Sequence, residues 1–157
     1  TNRQNLVKTA LTMLKSYLFR YQGHVGAALV LGGVDKEGAH LYTVYPHGSS
    51  DALPFAAMGS GSLAAIATLE TGYSEVLKLD DAKELVTRAI LAGVLNDLGS
   101  GSSVDLCIIS RSGTEYVRNY RSDMHRTFKL TPGYEFGDEC NEVNSANFDT
   151  ATRILRN

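Results

Sequence analysis

Tryptophan is absent from this chain of 157 residues, and cysteine and proline are scarce, with two and three copies. Cys107 and Cys140 form no CxxC pair and have no histidines at ligand spacing. That pattern excludes a disulfide framework and a structural zinc site, and it fits a reducing compartment. A charge excess is also missing: 15 Lys and Arg stand against 17 Asp and Glu, a formal net charge of −2. Without a global basic field, nucleic acid is not an expected partner. The longest apolar run, Val25 to Val34, is interrupted by Gly26, Gly32 and Gly33 and is too short to span a bilayer, so no membrane partner is expected. Thr1 to Lys8 is polar and leads straight into a helix pattern, so no secretory signal is expected. An initiator methionine is missing as well, which leaves Thr1 either the first residue of a processed chain or the start of a fragment.

What is present describes one globular domain: 43% hydrophobic and 20% charged residues, in a chain long enough for a sizeable core. Leu6, Ala10, Met13, Leu14, Tyr17, Leu18 and Tyr21 recur at three- and four-residue steps and predict a helix from about Arg3 to Tyr21, stopped by Gly23. Val25 to Leu31 and Ala39 to Tyr45, joined through Asp35-Lys36-Glu37-Gly38, read as an antiparallel hairpin. Leu53 to Met58 reads as a third, edge-like strand because of Pro54. Ser62 is the expected N-cap of a helix ending at Gly72, and Asp81 with Glu84 the expected capping box of another. Leu85, Val86, Ala89, Ile90, Ala92, Gly93 and Val94 give the latter a broad apolar face. Ser103 to Ser110 and Thr114 to Tyr120 form a second hairpin around Arg111-Ser112-Gly113. This order, with no strand–helix alternation, predicts antiparallel α+β layers. The sheets are under-strung for the number of helices. A main domain over 1–120 is followed by 121–157, a polar stretch with few aliphatics that reads as an arm rather than a folded unit.

Two turns concentrate polar chemistry. Asn96-Asp97-Leu98-Gly99-Ser100-Gly101-Ser102-Ser103 ends the most convincing helix, and Asp97 and Ser100 there can converge on one donor. Gly59-Ser60-Gly61-Ser62 repeats the chemistry between a strand and a helix. As composition alone both are ordinary junction turns. Gly59 to Ala64 matches G-x-G-x-x-A with Asp80 and Asp81 about twenty residues on, yet those aspartates open a helix and no βαβ unit surrounds them. Neither Ser60 nor Ser100 sits in G-x-S-x-G, His47 and His125 lie in surface-type segments, and no carboxylate pair fits a glycosidase. Arg111, Arg118, Arg121 and Arg126 form either a contact surface or a solvated face.

Several segments resemble eukaryotic proteasome core-particle beta subunits: Tyr17 to Gly23, Gly26 to Asp35, Tyr45-Pro46-His47-Gly48-Ser49, Met58 to Ala65 and Asn96 to Ser102. The match is in register from about Lys8 to Tyr120 and is most like the beta-type-two branch, which carries the trypsin-like activity. The resemblance implies a four-layer αββα sandwich of the N-terminal nucleophile hydrolases, here in its later portion. It also implies threonine-type endopeptidase chemistry with cleavage after basic residues. The supporting residues of that site map onto Asp97, Ser100 and Ser60, with Gly61 and Gly101 as backbone support. They would hold the threonine's amine and a nearby water. His47 and Ser49 would line a neighbouring subunit's substrate channel. Expected partners are the other alpha and beta subunits, in stacked seven-membered rings, and a polypeptide substrate, with no cofactor and no metal. The expected location is the cytoplasm and nucleus, with 121–157 laid across an adjacent subunit.

One departure shapes this reading. Thr1 aligns well inside the family's fold, at a helix start, so it is not the expected nucleophile. The 157 residues are therefore expected to be the later part of a subunit and inactive alone. The alternative is a catalytically silent structural beta-type subunit of the same ring.

Overall fold

The computed structural model describes residues 5–122. Helix α1 spans Val7–Arg20 and is followed by strands β1 (Leu29–Asp35), β2 (Gly38–Val44) and β3 (Ser50–Ala52). Helices α2 (Ser62–Gly72) and α3 (Leu79–Asn96) come next, then β4 (Val104–Ser110) and β5 (Gly113–Arg121). The sheets are antiparallel, ordered β1-β2-β3 and β4-β5. The fold is therefore α+β, as the element order predicts. Helix α1 starts at Val7, with Leu6 extended as its N-cap, and not at Arg3 as expected; the expected arm over 121–157 lies outside the described residues, save Arg121 and Ser122.

Helix α1 shows why one apolar stripe won over another. Val7, Leu11 and Leu18 are buried, the latter two clustering with Val44 of β2. Ala27, Leu29, Leu31 and Tyr42 flank that cluster. The expected stripe is partly turned outward, with Met13 70%, Tyr17 52% and Tyr21 45% exposed. The sequence contains two overlapping stripes that share Leu14 and Leu18, and periodicity alone cannot rank them. Tertiary contacts rank them here. Gly33 lets Val7 lie on β1, since an added Cβ there would come within 2.6 Å of a Val7 methyl. The Val7 N–H, one of the unpaired donors of the helix start, donates to Asp35 Oδ2 at 2.8 Å. No side chain at Leu6 caps the helix, so a strand residue does so instead.

Asp35 is itself buried. Its Oδ1 also accepts the Glu37 N–H at 2.8 Å and lies 3.1 Å from His40 Nε2. One carboxylate thereby closes the β1–β2 turn and fixes the register, Asp35 opposite Gly38 and Leu29 opposite Val44. The hydrogen bond from Val7, then those from Glu37 and His40, hold its pKa below the ordinary carboxylate value, although burial pulls the other way.

Several expected boundaries move. Strand β1 begins at Leu29 rather than Val25, after Gly26 adopts a φ of +66°. The third strand lies at Ser50–Ala52, before Pro54, and not at Leu53 to Met58. Pro54 offers no N–H to a ladder, while Phe55 and Ala57 leave the sheet to pack on the cluster of Ala65, Leu69, Leu85 and Ala89 between α2 and α3. Neither expected helix cap forms. Gly61, not Ser62, precedes α2, and Lys78, not Asp81, precedes α3, both without a side-chain cap bond. Asp80 and Asp81 instead sit in the first turn of α3, where negative charge favours the helix dipole. Helix α3 is buried on two sides, toward α2 through Leu85 and Ala89 and toward β4 through Leu91, which clusters with Val104 and Leu106. Val86 and Ile90 remain 43% and 44% exposed. They line a cavity of about 890 Å³ together with Val30, Leu41, Met58 and Cys107.

Because the Asp35 carboxyl titrates lower folded than unfolded, its contribution is present above the unfolded value of about 4 and is lost as pH falls below it. Asp35→Asn is expected to lower the urea midpoint at neutral pH and to flatten the acid side of the stability curve. Urea unfolding followed by circular dichroism between pH 3 and 7, on the order of one point per half unit, checks both.

Candidate functional site

Helix α3 ends where the site begins. Asp97 is its C-cap, extended at φ −101° and ψ 124°, with its N–H donating to Gly93 O at 2.8 Å. The chain then turns back, Ser100 N–H donating to Asp97 O at 3.2 Å and Gly99 N–H to Asp97 Oδ1 at 3.2 Å. This local fold of an aspartate onto the amides that follow it is what Asx turns do. It sets the Ser100 hydroxyl 2.6 Å from Asp97 Oδ2. From the other side, the turn before α2 brings the Ser60 hydroxyl to the same oxygen, also at 2.6 Å.

The two turns meet because glycines line the seam. An added Cβ at Gly61 would lie 3.1 Å from Ser100 Oγ, 3.2 Å from Gly93 Cα and 3.5 Å from Asp97 Cβ. One at Gly99 would lie 3.2 Å from Ser60 Oγ. Gly93 costs the helix about 1 kcal/mol relative to alanine, and that cost goes with the close backbone approach to Gly61. The start of α2 thus lies against the end of α3, placing the Asp97 carboxylate near a helix N-terminus, a favourable setting for negative charge.

Electrostatics follow from this geometry. The Ser100 hydroxyl first, then the Ser60 hydroxyl and the Gly99 N–H, hold the Asp97 carboxyl below its usual range, against a smaller opposing effect of desolvation. It is ionised at neutral pH. Each serine spends its single proton on Asp97 and keeps its lone pairs. Three side chains therefore present acceptors and a negative charge, a combination suited to an ammonium group.

Ser60, Asp97, Ser100 and Gly61 are brought together as the sequence reading expects. Asp97 is the acceptor on which two hydroxyls converge. Gly101 lies in the same loop with open space around it, no described atom lying within 4 Å of a Cβ built there. His47 and Ser49 are exposed on the turn between β2 and β3, closed by Tyr45 N–H to Ser49 O at 2.9 Å. There the His47 ring packs over Gly23, beyond the end of α1. Arg118 is paired with Asp105 at 3.2 Å, so it is no free member of a basic contact surface. Arg126 and His125 lie outside the described residues. Asp80 and Asp81 on α3, far from ending a parallel strand, remove the dinucleotide reading. The residue the sequence reading missed is Gly93; a glycine inside an otherwise strong helix pattern was the available signal for it.

Comparison with known proteins identifies the family. A family model described as proteasome subunit matches residues 1–109. The chain is 57% identical over 136 residues to proteasome subunit beta type-7-B of Arabidopsis thaliana, covering 87% of this chain and 50% of that protein. It is 57% identical over 129 residues to the probable proteasome subunit beta type-2 of Schizosaccharomyces pombe, covering 82% and 48%. Against proteasome subunit beta type-2 of Saccharomyces cerevisiae the identity is 45% over 139 residues, covering 85% and 53%. The chain belongs to the proteasome subunit family. It spans about half the length of the curated relatives it matches.

The glycine seam makes opposite demands on its two sides. Gly61→Ala is expected to destabilise the complete subunit by about 1–3 kcal/mol, as overpacking does, and to pull Ser60 and Ser100 off Asp97. Gly93→Ala would meet Gly61 O at 3.5 Å, an ordinary contact, and is expected to stay within about 1 kcal/mol of the parent. Denaturant unfolding of both variants checks the asymmetry.

Proposed function

We propose that the chain is part of a type-two beta subunit of the proteasome core particle, a threonine-type endopeptidase that cleaves after basic residues. In this reading the subunit has the four-layer αββα sandwich and works in stacked rings with other alpha and beta subunits, in the cytoplasm and nucleus. The observation that carries the reading is the ionised Asp97 carboxylate taking two serine hydroxyls on one oxygen, beside a large cavity. Family membership and the beta type-7 and type-2 relatives support it.

The proposed mechanism uses the cluster as a holder. A threonine hydroxyl attacks the peptide carbonyl carbon, and its proton passes to an amine nearby, then to the leaving nitrogen. Efficient transfer needs that amine fixed in place. The lone pairs of Ser60 and Ser100 accept from it, and the negative charge of Asp97 stabilises it when protonated. The nucleophile itself is not among the side chains gathered around Asp97. Gly61 lets the two turns close on each other, and Gly101 leaves open space beside the cluster. The preference for basic residues rests on likeness to the type-two branch and on no pocket residue described above.

Asp97→Asn in the complete subunit is expected to lower cleavage of an Arg-terminated fluorogenic peptide by roughly a hundredfold, the scale of a lost positioning group. Purified particles of normal size should still form and cleave peptides ending in apolar residues. Unchanged Arg-peptide turnover would overturn the reading and favour a silent structural subunit. For the turn between β2 and β3, His47→Ala is expected to alter the peptide preference of a neighbouring active subunit about threefold or more, a modest pocket-contact effect. Competing peptide substrates measured on one particle preparation check this.

A further inference from the structure

The loop that carries Ser100 is tied down at its far end by groups the mechanism above does not use. Ser102 adopts a φ of +71°, in the left-handed region that is unfavourable for a residue with a side chain. Immediately after it, the Ser103 hydroxyl donates to Asn119 Oδ1 at 2.7 Å. Asn119 is also left-handed, at φ +53°, in the middle of β5. The ladder is irregular at that point: Val104 pairs with Arg121, but Leu106 already pairs with Val117. Asp105 alone therefore faces Arg118, Asn119 and Tyr120.

Its carboxylate holds that bulge in shape. Asp105 Oδ1 accepts the Asn119 N–H at 2.7 Å, and Oδ2 lies 3.2 Å from Arg118 Nε. A bulge is a device for re-aiming backbone beside a site. Here it presents the Asn119 carboxamide to the residue that leaves the site loop. Two sparsely populated backbone conformations, at Ser102 and Asn119, are thus joined through a single hydroxyl.

We propose that Ser103, Asp105 and Asn119 are positioning residues for the Ser60–Asp97–Ser100 cluster, forming a clasp that fixes the far end of the loop from Gly99 to Ser103. The near end of that loop is held by Asp97 itself, through the Gly99 and Ser100 amides. Between them, Gly101 has open space and no side chain to pack. With its far end released, the loop would let the Ser100 hydroxyl leave Asp97, and the amine it holds would lose its fixed place. The effect is on orientation, so it appears in turnover more than in substrate affinity. This inference rests on the proposed peptidase reading.

The test uses complete subunits in purified particles and an Arg-terminated fluorogenic peptide. Ser103→Ala removes the hydroxyl from a half-buried position, and Asn119→Gly keeps the left-handed backbone while removing its acceptor. Each is expected to lower kcat by roughly tenfold with KM nearly unchanged, a loss typical of slight misplacement. The double variant should lose no more than either single one, because both break the same bond, and Ser103→Thr, which restores a hydroxyl, should recover most of the turnover. Asp97→Asn is carried alongside. Loss of turnover in Asp97→Asn with parental kcat in both clasp variants, or additive losses in the double variant, would overturn the clasp alone. Parental turnover in Asp97→Asn would overturn the peptidase reading and the clasp with it.

Discussion

A single carboxylate oxygen, Asp97 Oδ2, takes hydroxyl protons from both sides of a seam between two helices. This contact constrains the most around it. The start of α2 and the end of α3 approach closely enough that a Cβ at Gly61 would crowd Ser100 Oγ and Gly93 Cα, whereas one at Gly93 would make an ordinary contact. That approach in turn sets how α2 and α3 bury Ala65, Leu69, Leu85 and Ala89. With one side committed to α2, α3 uses Leu91 to hold Val104 and Leu106, so β4 starts close behind the loop that carries Ser100. Packing and chemistry are here two consequences of one approach distance.

The other half of the fold is organised by the same device used differently. Asp35 also gathers three groups, but they are the first amide of α1, the amide of a hairpin turn and the His40 ring. Two of these donors are backbone, so Asp35 fixes the chain's path. At Asp97 two of the three are hydroxyls, which retain lone pairs after donating. Both carboxylates are ionised by their hydrogen bonds, yet only Asp97 is surrounded by acceptors facing outward. The chemistry follows from what the donors are, more than from how many there are.

Much of this was legible in the residues. The hairpin through Lys36 and Glu37, the span of α2 and the β4–β5 hairpin follow from turn glycines and apolar runs, which act locally. Ser60, Asp97 and Ser100 could be singled out because carboxylate and hydroxyls fall in small-residue turns at element ends and in register with a known family. What could not be read is whatever tertiary contact decided. Helix α1 carries two apolar stripes, and Gly33 and Asp35, 26 and 28 residues beyond Val7, select between them. The expected cap at Ser62 failed for a similar reason, whereas α3 simply begins at Leu79, two residues before Asp81. The turn before α2 is committed to the seam, so the serine that bonds outward from it is Ser60, and it bonds to Asp97 rather than to its own helix.

Hydroxyls at 60 and 100 also explain why the cluster can be both rigid and receptive. An asparagine or histidine at either place would give Asp97 a donor but would leave a different geometry of acceptors toward a bound amine. A serine contributes one proton inward and two lone pairs outward on a side chain with one torsion to fix, so ordering it costs little. The turns supply the remaining order: Asp97 closes Gly99 and Ser100 onto itself, and a side chain at Gly61 would force Ser100 or Gly93 to shift. A compact cluster of acceptors is best made from short side chains on turns whose own backbones are already hydrogen-bonded. Ser60 and Gly61 in one turn and Asp97, Gly99 and Ser100 in the other are composed in that way, and a side chain at Gly61 or Gly99 would press on the Ser100 or the Ser60 hydroxyl.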